Sequence, residues 1–317
     1  MAVDSCDPAE TNVFRTYEKL YRRDPAANSR KERRRQKRTV IDEEKFSNIV
    51  DFRSLGSTKW RDIVKPVEMH VGMQRRLLDG DRAQMFEITN HPGLFVITDA
   101  FSPRQQLLWV KRALSEFSLG PYTNLWSHGE KIDPLWQNGI ESGDLTPFKR
   151  LRWANIGRHY DWTAREYMDV KEMPPLDSDL VELFNEVVAV SGIYTKGTAQ
   201  AGIVNFYPSG TSMGGHLDDA ESDMISPIVS LSIGCSCVYL QGGHTRAEAP
   251  IPLWLRSGDI MIMGGDARIC YHGVPLVTSG TLLDELRLLL ESEHPNFLNY
   301  LSNARVNINL RSVDIHQ

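Results

Sequence analysis

The sequence predicts a mainly β domain of the sandwich or barrel kind with flanking helices, an α+β arrangement. Two observations carry this. Short apolar segments at 203–207, 228–233, 238–240, 251–255, 259–263, 268–271 and 305–311 are separated by Gly, Pro and Ser, which is the spacing of a sandwich or barrel. Helical periodicity, by contrast, is confined to a few stretches, mostly ahead of or between those segments.

Taken in order, residues 1–85 read as a helical and basic appendage. Phe14, Tyr17 and Tyr21 share one helical face, and a basic run, Arg30-Lys31-Glu32-Arg33-Arg34-Arg35-Gln36-Lys37-Arg38, follows. That run suits a solvated face, a nuclear address or a phosphate contact. A folded domain spans 86–317. Within it, 93–97 reads as a strand, and 103–117 and 177–190 read as amphipathic helices. A leucine-rich helical pair, 282–291 and 295–301, is split at Pro295 and is expected to pack outside the sheets.

Composition excludes several classes. With 41% hydrophobic residues in 317, the chain can bury a sizeable core. A net charge of -5 and a pI near 6.0 argue against a protein coated in cation, so a polyanionic partner has to be met by local basic patches. The four cysteines, Cys6, Cys235, Cys237 and Cys270, lie mostly in apolar segments and suit reduced thiols rather than a disulfide framework. No apolar run approaches the roughly 20 residues of a membrane span, and the acidic start (Asp4, Asp7, Glu10) lacks the order of a secretory signal. An intracellular protein without membrane partners is expected, in nucleus, cytoplasm or mitochondrion, and a monomer is favoured.

Three separated pieces of the chain read as one metal site. These are His216-Leu217-Asp218, the later His272, and the strand-like Arg305-Val306-Asn307-Ile308-Asn309-Leu310-Arg311. Two imidazoles and a carboxylate occupying one face of a metal form the 2-His-1-carboxylate arrangement of non-heme Fe(II) oxygenases. The His-x-Asp pattern alone is weak, because on the order of one such pair is expected by chance at this composition. His159-Tyr160-Asp161 is a second one, with His216 following it at a comparable distance. Context separates them. Only His216 and Asp218 follow a polar-aromatic strand, Asn205-Phe206-Tyr207, and precede both a histidine at a strand end and an arginine-rich strand. In an extended strand, residues i and i+2 share a face, so His216 and Asp218 would converge while Leu217 points into the core. His272 is expected to end the strand 268–271, and its rivals His244 and His294 follow no such apolar strand.

Alternation in 305–311 puts Arg305, Asn307, Asn309 and Arg311 on one face and Val306, Ile308 and Leu310 on the other. At about 3.3 Å per residue the two arginines stand roughly 20 Å apart, so they need different jobs. One is expected to pair with a distal carboxylate and the other to lie nearer the metal or substrate.

With these residues in view, the chain is identified as resembling the AlkB family of Fe(II)/2-oxoglutarate dioxygenases, most closely its AlkB homologue 1 branch. Leu151-Arg152-Trp153, Tyr160-Asp161-Trp162, Ala201-Gly202-Ile203-Val204-Asn205-Phe206-Tyr207, Ser257-Gly258-Asp259-Ile260-Met261-Ile262-Met263 and Ala304-Arg305-Val306-Asn307 carry the likeness, which covers about residues 86–312. The resemblance implies a double-stranded β-helix, or jelly roll, with its core at about 201–312 and a substrate-recognition part at about 120–200. It implies Fe(II) on His216, Asp218 and His272. It further implies 2-oxoglutarate held by Asn205, Tyr207 and Arg305, with Asn307 and Arg311 lining the same pocket, and O₂ as co-substrate. Relatives commonly carry a basic residue directly after the metal-binding aspartate, whereas this chain has Asp219.

Oxidative decarboxylation of 2-oxoglutarate would then drive hydroxylation of a methyl group. A methyl on a base edge is unreachable inside a stacked duplex, so the substrate would be tRNA, or DNA with an unpaired or flipped base. Trp153, Tyr160 and Trp162 are candidate stacking residues, Arg152 and Arg158 candidate phosphate contacts, and His159 belongs to the same group. An aromatic cluster beside a sheet is equally a core feature. The resemblance suggests 1-methyladenine and 5-methylcytosine in tRNA ahead of N6-methyladenine in DNA. The alternatives are an oxygenase of a protein side chain such as methyl-lysine, and a jelly roll without activity that binds a partner.

Overall fold

The computed structural model describes residues 12–22, 46–55, 60–70, 76–168 and 174–314. The basic run 30–38 lies outside the described residues. The strands are β1 (Val64–Val67), β2 (Gln84–Ile88), β3 (Leu94–Thr98), β4 (Trp153–Gly157), β5 (Tyr160–Asp161), β6 (Glu166–Tyr167) and β7 (Ala201–Pro208). They continue with β8 (Met213–His216), β9 (Ile228–Gly234), β10 (Cys237–Gln241), β11 (Ile251–Leu255), β12 (Ile260–Met263), β13 (His272–Val277) and β14 (Ala304–Arg311).

Two antiparallel sheets face each other. The larger has the order β1-β2-β3-β12-β9-β14-β7-β4 and the smaller β11-β10-β13-β8, while β5 and β6 form a separate hairpin. The sandwich expected from the spacing of short strands is present. Alternation on β14 shows how it is layered. Val306, Ile308 and Leu310 are fully buried under the helices Pro103–Ser115, Ser178–Ser191, Asp284–Glu293 and Pro295–Leu301. The opposite face of the large sheet turns Val96, Tyr207 and Met261 toward Cys237, Tyr239 and Val274 of the small one. Arg305, Asn307 and Arg311 are buried on that inter-sheet side.

The helices obey their local signals. Ser102 caps Pro103–Ser115 by accepting from the Gln105 N–H, with proline in the first turn. Asp177 caps Ser178–Ser191 at one end, and Gly192 closes it at φ 68°.

The helix Val13–Tyr21 packs on the outer face of the small sheet. Phe14 is fully buried there, clustered with Val238, Leu240 and Leu276, and the Glu18 carboxylate accepts the Gly215 N–H. This contact explains two glycines: a Cβ at Gly215 would meet the Phe14 ring at 2.5 Å, and one at Gly242 would meet it at 2.8 Å. Phe14→Ala is expected to cost about 3–5 kcal/mol of stability, read from the midpoint of urea unfolding, because the cavity lies between a helix and a sheet that cannot collapse onto each other.

Two local readings are corrected. Strand β8 ends at His216, so Asp218 and Leu217 lie in the following loop rather than on one extended strand with it. Leu217 is half-buried and lines a cleft instead of the core. Residues Gly265–Ile269 form a 3-10 helix, not a strand, and His272 begins β13 rather than ending a strand. The reason is that Arg268 is 1% exposed and spends its guanidinium on groups near Asp218, while Ile269 turns outward at 44% exposure.

Candidate metal centre and substrate cleft

Adjacent strands supply the two histidines. β8 and β13 pair antiparallel with His216 opposite His272, and the ring centroids are 4.3 Å apart. Asp218, past the end of β8, swings back between them: its carboxylate lies 3.7 Å from His216 Nε2 and 3.8 Å from His272 Nε2. One donor atom from each residue lies within 4.8 Å of the other two.

The imidazoles are set for metal binding. His216 Nδ1 lies 3.0 Å from the Gly214 carbonyl and His272 Nδ1 3.2 Å from the Cys270 carbonyl, so each Nδ1–H is spent on the backbone and each Nε2 is turned toward Asp218. Burial, reinforced by His216, pushes His272 down to about 4, so its ring is neutral at ordinary pH. Burial alone would raise Asp218. The Arg311 guanidinium, with Arg268 behind it, outweighs that and holds the carboxyl below the usual carboxylate range, so it is an anion. Two imidazole nitrogens and one anionic oxygen on one side of a common point fit Fe(II) with positions left open.

The residues expected to hold 2-oxoglutarate sit on β7 and β14, which pair along their length with Arg305 opposite Tyr207 and Asn307 opposite Asn205. Arg305 is 2% exposed; its Nη2 donates to Ser232 Oγ at 2.9 Å and its guanidinium lies 5.2 Å from the Tyr207 ring centre. Its Nε and Nη1 are buried without a protein partner. A buried guanidinium with two idle donors is fitted to a bidentate carboxylate. Asn307 donates to Ser230 Oγ and the Leu231 carbonyl, and accepts from Asn205 Nδ2 at 3.4 Å. Arg311, at the other end of β14, contacts Asp218 at 3.1 Å and Glu221 at 2.9 Å. The two arginines therefore have different protein partners, Ser232 for Arg305 and Asp218 with Glu221 for Arg311.

A cleft of about 380 Å³ opens onto two of the three metal-site residues, His216 and Asp218. Asn205 and Arg311 form part of its floor, and the β5–β6 hairpin forms a wall with Tyr160, Trp162, Arg165 and Tyr167. Trp162 is 46% exposed and packs between Trp153, at 5.2 Å, and Tyr160, at 4.9 Å. Trp153 therefore backs the wall without lining the cleft. Arg158 is ion-paired to Asp314 and donates to the Met168 carbonyl. Arg152 donates to the carbonyls of Lys149 and Leu151. His159 is 2% exposed, pushed down to about 4 by burial, and has no hydrogen-bond partner on either ring nitrogen.

Sequence reasoning missed Tyr167, Glu221 and Arg268. Glu221 joins Arg268 to Arg311, and the Tyr167 hydroxyl donates to Glu221 at 2.7 Å. Two signals were available: an acidic residue three places after Asp218, and a lone arginine inside an apolar segment.

Known proteins agree with this geometry. The family described as the 2OG-Fe(II) oxygenase superfamily matches residues 93–311. The DNA N(6)-methyladenine demethylase ALKBH1A of Arabidopsis thaliana is 30% identical over 97% of this chain and 97% of its own length. The tRNA demethylase abh1 of Schizosaccharomyces pombe is 31% identical over 73% of this chain and 82% of its own. In fold, the solved structure of OsALKBH1 superposes with a TM-score of 0.51 at 19% identity, covering 70% of this chain and 97% of that one, which makes the facing sheets a double-stranded β-helix. The chain belongs to the 2OG-Fe(II) oxygenase superfamily, in its AlkB family, and is an Fe(II)- and 2-oxoglutarate-dependent dioxygenase.

Proposed function

We propose that the enzyme oxidises methyl groups on nucleic-acid bases, with tRNA ahead of unpaired or flipped-base DNA. The observation that carries this is the aromatic-walled cleft, lined by Trp162 and Tyr160 together with His216 and Asp218 of the metal site. Both relatives named above act on methylated nucleic acid according to their names, one on tRNA and one on DNA. An intracellular location suits either substrate.

His216, Asp218 and His272 would hold Fe(II), and Arg305, with Tyr207 and Asn205, would hold 2-oxoglutarate. When bound there, Fe(II) and 2-oxoglutarate would supply the O₂-dependent oxidising chemistry that hydroxylates a C–H bond, with succinate and CO₂ as the co-products. The chain does the rest. Trp162 and Tyr160 offer π faces on which an extruded base stacks, a contact worth about 1–3 kcal/mol and tolerant of base identity. His216 and Asp218 line the same cleft, so a base stacked there presents its edge to the metal position. Arg311 keeps Asp218 anionic.

Mass spectrometry of nucleosides from methylated tRNA and single-stranded DNA, before and after incubation with the full chain, Fe(II) and 2-oxoglutarate, tests this. Loss of 1-methyladenosine or oxidation of 5-methylcytidine is expected, and Trp162→Ala should raise KM for the nucleic acid by about 10- to 100-fold. Turnover of methyl-lysine peptides with neither nucleic acid touched would replace this reading by that of a protein-side-chain oxygenase.

A further inference from the structure

A buried ionic cluster adjoins Asp218, and three of its members, Tyr167, Glu221 and Arg311, line the cleft. Glu221 has a side chain 1% exposed, as does Arg268, and Arg311 is 4% exposed. One Glu221 oxygen takes Arg311 at 2.9 Å and the Tyr167 hydroxyl at 2.7 Å; the other takes Arg268 at 2.8 Å. Both arginines then reach Asp218: Arg311 Nη2 lies 3.1 Å from its carboxylate, and Arg268 Nη1 donates to its backbone carbonyl at 2.5 Å. Asp218 stands in a loop, without a strand to fix it, and these arginines hold both its ends.

We infer that Glu221 is a positioning residue that sets the Asp218 ligand through Arg268 and Arg311, and that Tyr167 couples the substrate-facing hairpin to it.

Charge and geometry support each half. Two arginines beside Asp218 alone would leave an excess positive charge next to a site meant for a divalent cation. Glu221 brings the four-residue cluster to neutrality, so removing its charge penalises the metal. Outer partners of metal ligands typically alter metal affinity 10- to 100-fold. Tyr167 lies on β6 of the hairpin whose Trp162 and Tyr160 wall the cleft, and it packs 5.3 Å from Tyr160. Burial above all, with Glu221 adding to it against Arg311, pushes the Tyr167 phenol far up, so it stays a hydrogen-bond donor. A hairpin that closes on substrate therefore presses on the same carboxylate that orients Asp218, and a loaded metal site stiffens the hairpin in return.

The inference rests on the ligand role of His216, Asp218 and His272, and its test needs no nucleic acid. The full chain without iron is titrated with Co(II) and followed by visible absorption, while hydrogen exchange is recorded for residues 160–167. Glu221→Gln should weaken Co(II) binding on the order of 10- to 100-fold. Tyr167→Phe, which keeps the ring, should weaken it about 3- to 10-fold, and the double variant should be no worse than Glu221→Gln alone. In the wild type, Co(II) with 2-oxoglutarate should slow exchange in 160–167, and Tyr167→Phe should lose that slowing. Wild-type Co(II) affinity in Tyr167→Phe, additive losses in the double variant, or slowing retained without the hydroxyl would each overturn it. Should Glu221→Gln not fold, Tyr167→Phe carries the decision alone. Failure to turn over any nucleic acid would sink the proposed function and leave this result standing.

Discussion

Asp218→Ala should leave a folded protein that no longer retains Fe(II) and turns over at least on the order of 10³-fold more slowly. Changes to the outer partners of metal ligands already cost 10- to 100-fold, and this change removes the only anion of the three donors. It also leaves Arg311 and Arg268 facing the metal position with Glu221 as their sole carboxylate partner, which repels a dication. The fold should survive because Arg311 keeps its bond to Glu221 and the side chain lost is not part of either apolar layer. Iron stoichiometry, 2-oxoglutarate consumption and thermal unfolding on the same sample check the three parts. A variant that binds iron and turns over normally would remove Asp218 from the ligand set.

Arg305→Ala should raise KM for 2-oxoglutarate by about 10²-fold or more while Co(II) affinity stays near wild type. Losing one partner of a buried, hydrogen-bonded charge pair costs about 2–5 kcal/mol, and each 1.4 kcal/mol is tenfold in affinity. Arg305→Lys restores the charge but not the fork of donors, so it should recover only part of the loss. The split is diagnostic: an arginine that merely filled space between the sheets would lower stability without moving KM. Arg311→Ala should behave in the opposite way, because its guanidinium is spent on Asp218 and Glu221.

The sequence showed more of the site's membership than of its local geometry. β14 was legible because Val306, Ile308 and Leu310 alternate with four polar residues, and burial on both faces keeps that pattern strict. The segment 251–255 was legible for its apolar run between Pro and Ser. His216, Asp218 and His272 were picked out together, and the structure brings them together, yet the route was misjudged. β8 carries Gly214 and Gly215 and no β-branched residue, so nothing in it announces a strand. Of these, Gly215 answers to Phe14, about two hundred residues earlier, a demand that no window of sequence contains. Arg268-Ile269-Cys270-Tyr271 mimics an alternating strand, and only the distant Asp218 carbonyl and Glu221 carboxylate explain why its arginine is inside. The hairpin β5–β6 is two residues per strand, too short for periodicity to register, and Tyr167 was lost with it.

The wedge formed by Phe14 and Glu18 limits how this enzyme can be dissected. A cassette begun at residue 86 would strip the prop from beneath the histidine-bearing strand and leave Val238, Leu240 and Leu276 open to water. Such a truncate would be adhesive on one side and slack at the iron, so the amino-terminal helix is a splint for the catalytic half rather than an attachment to it.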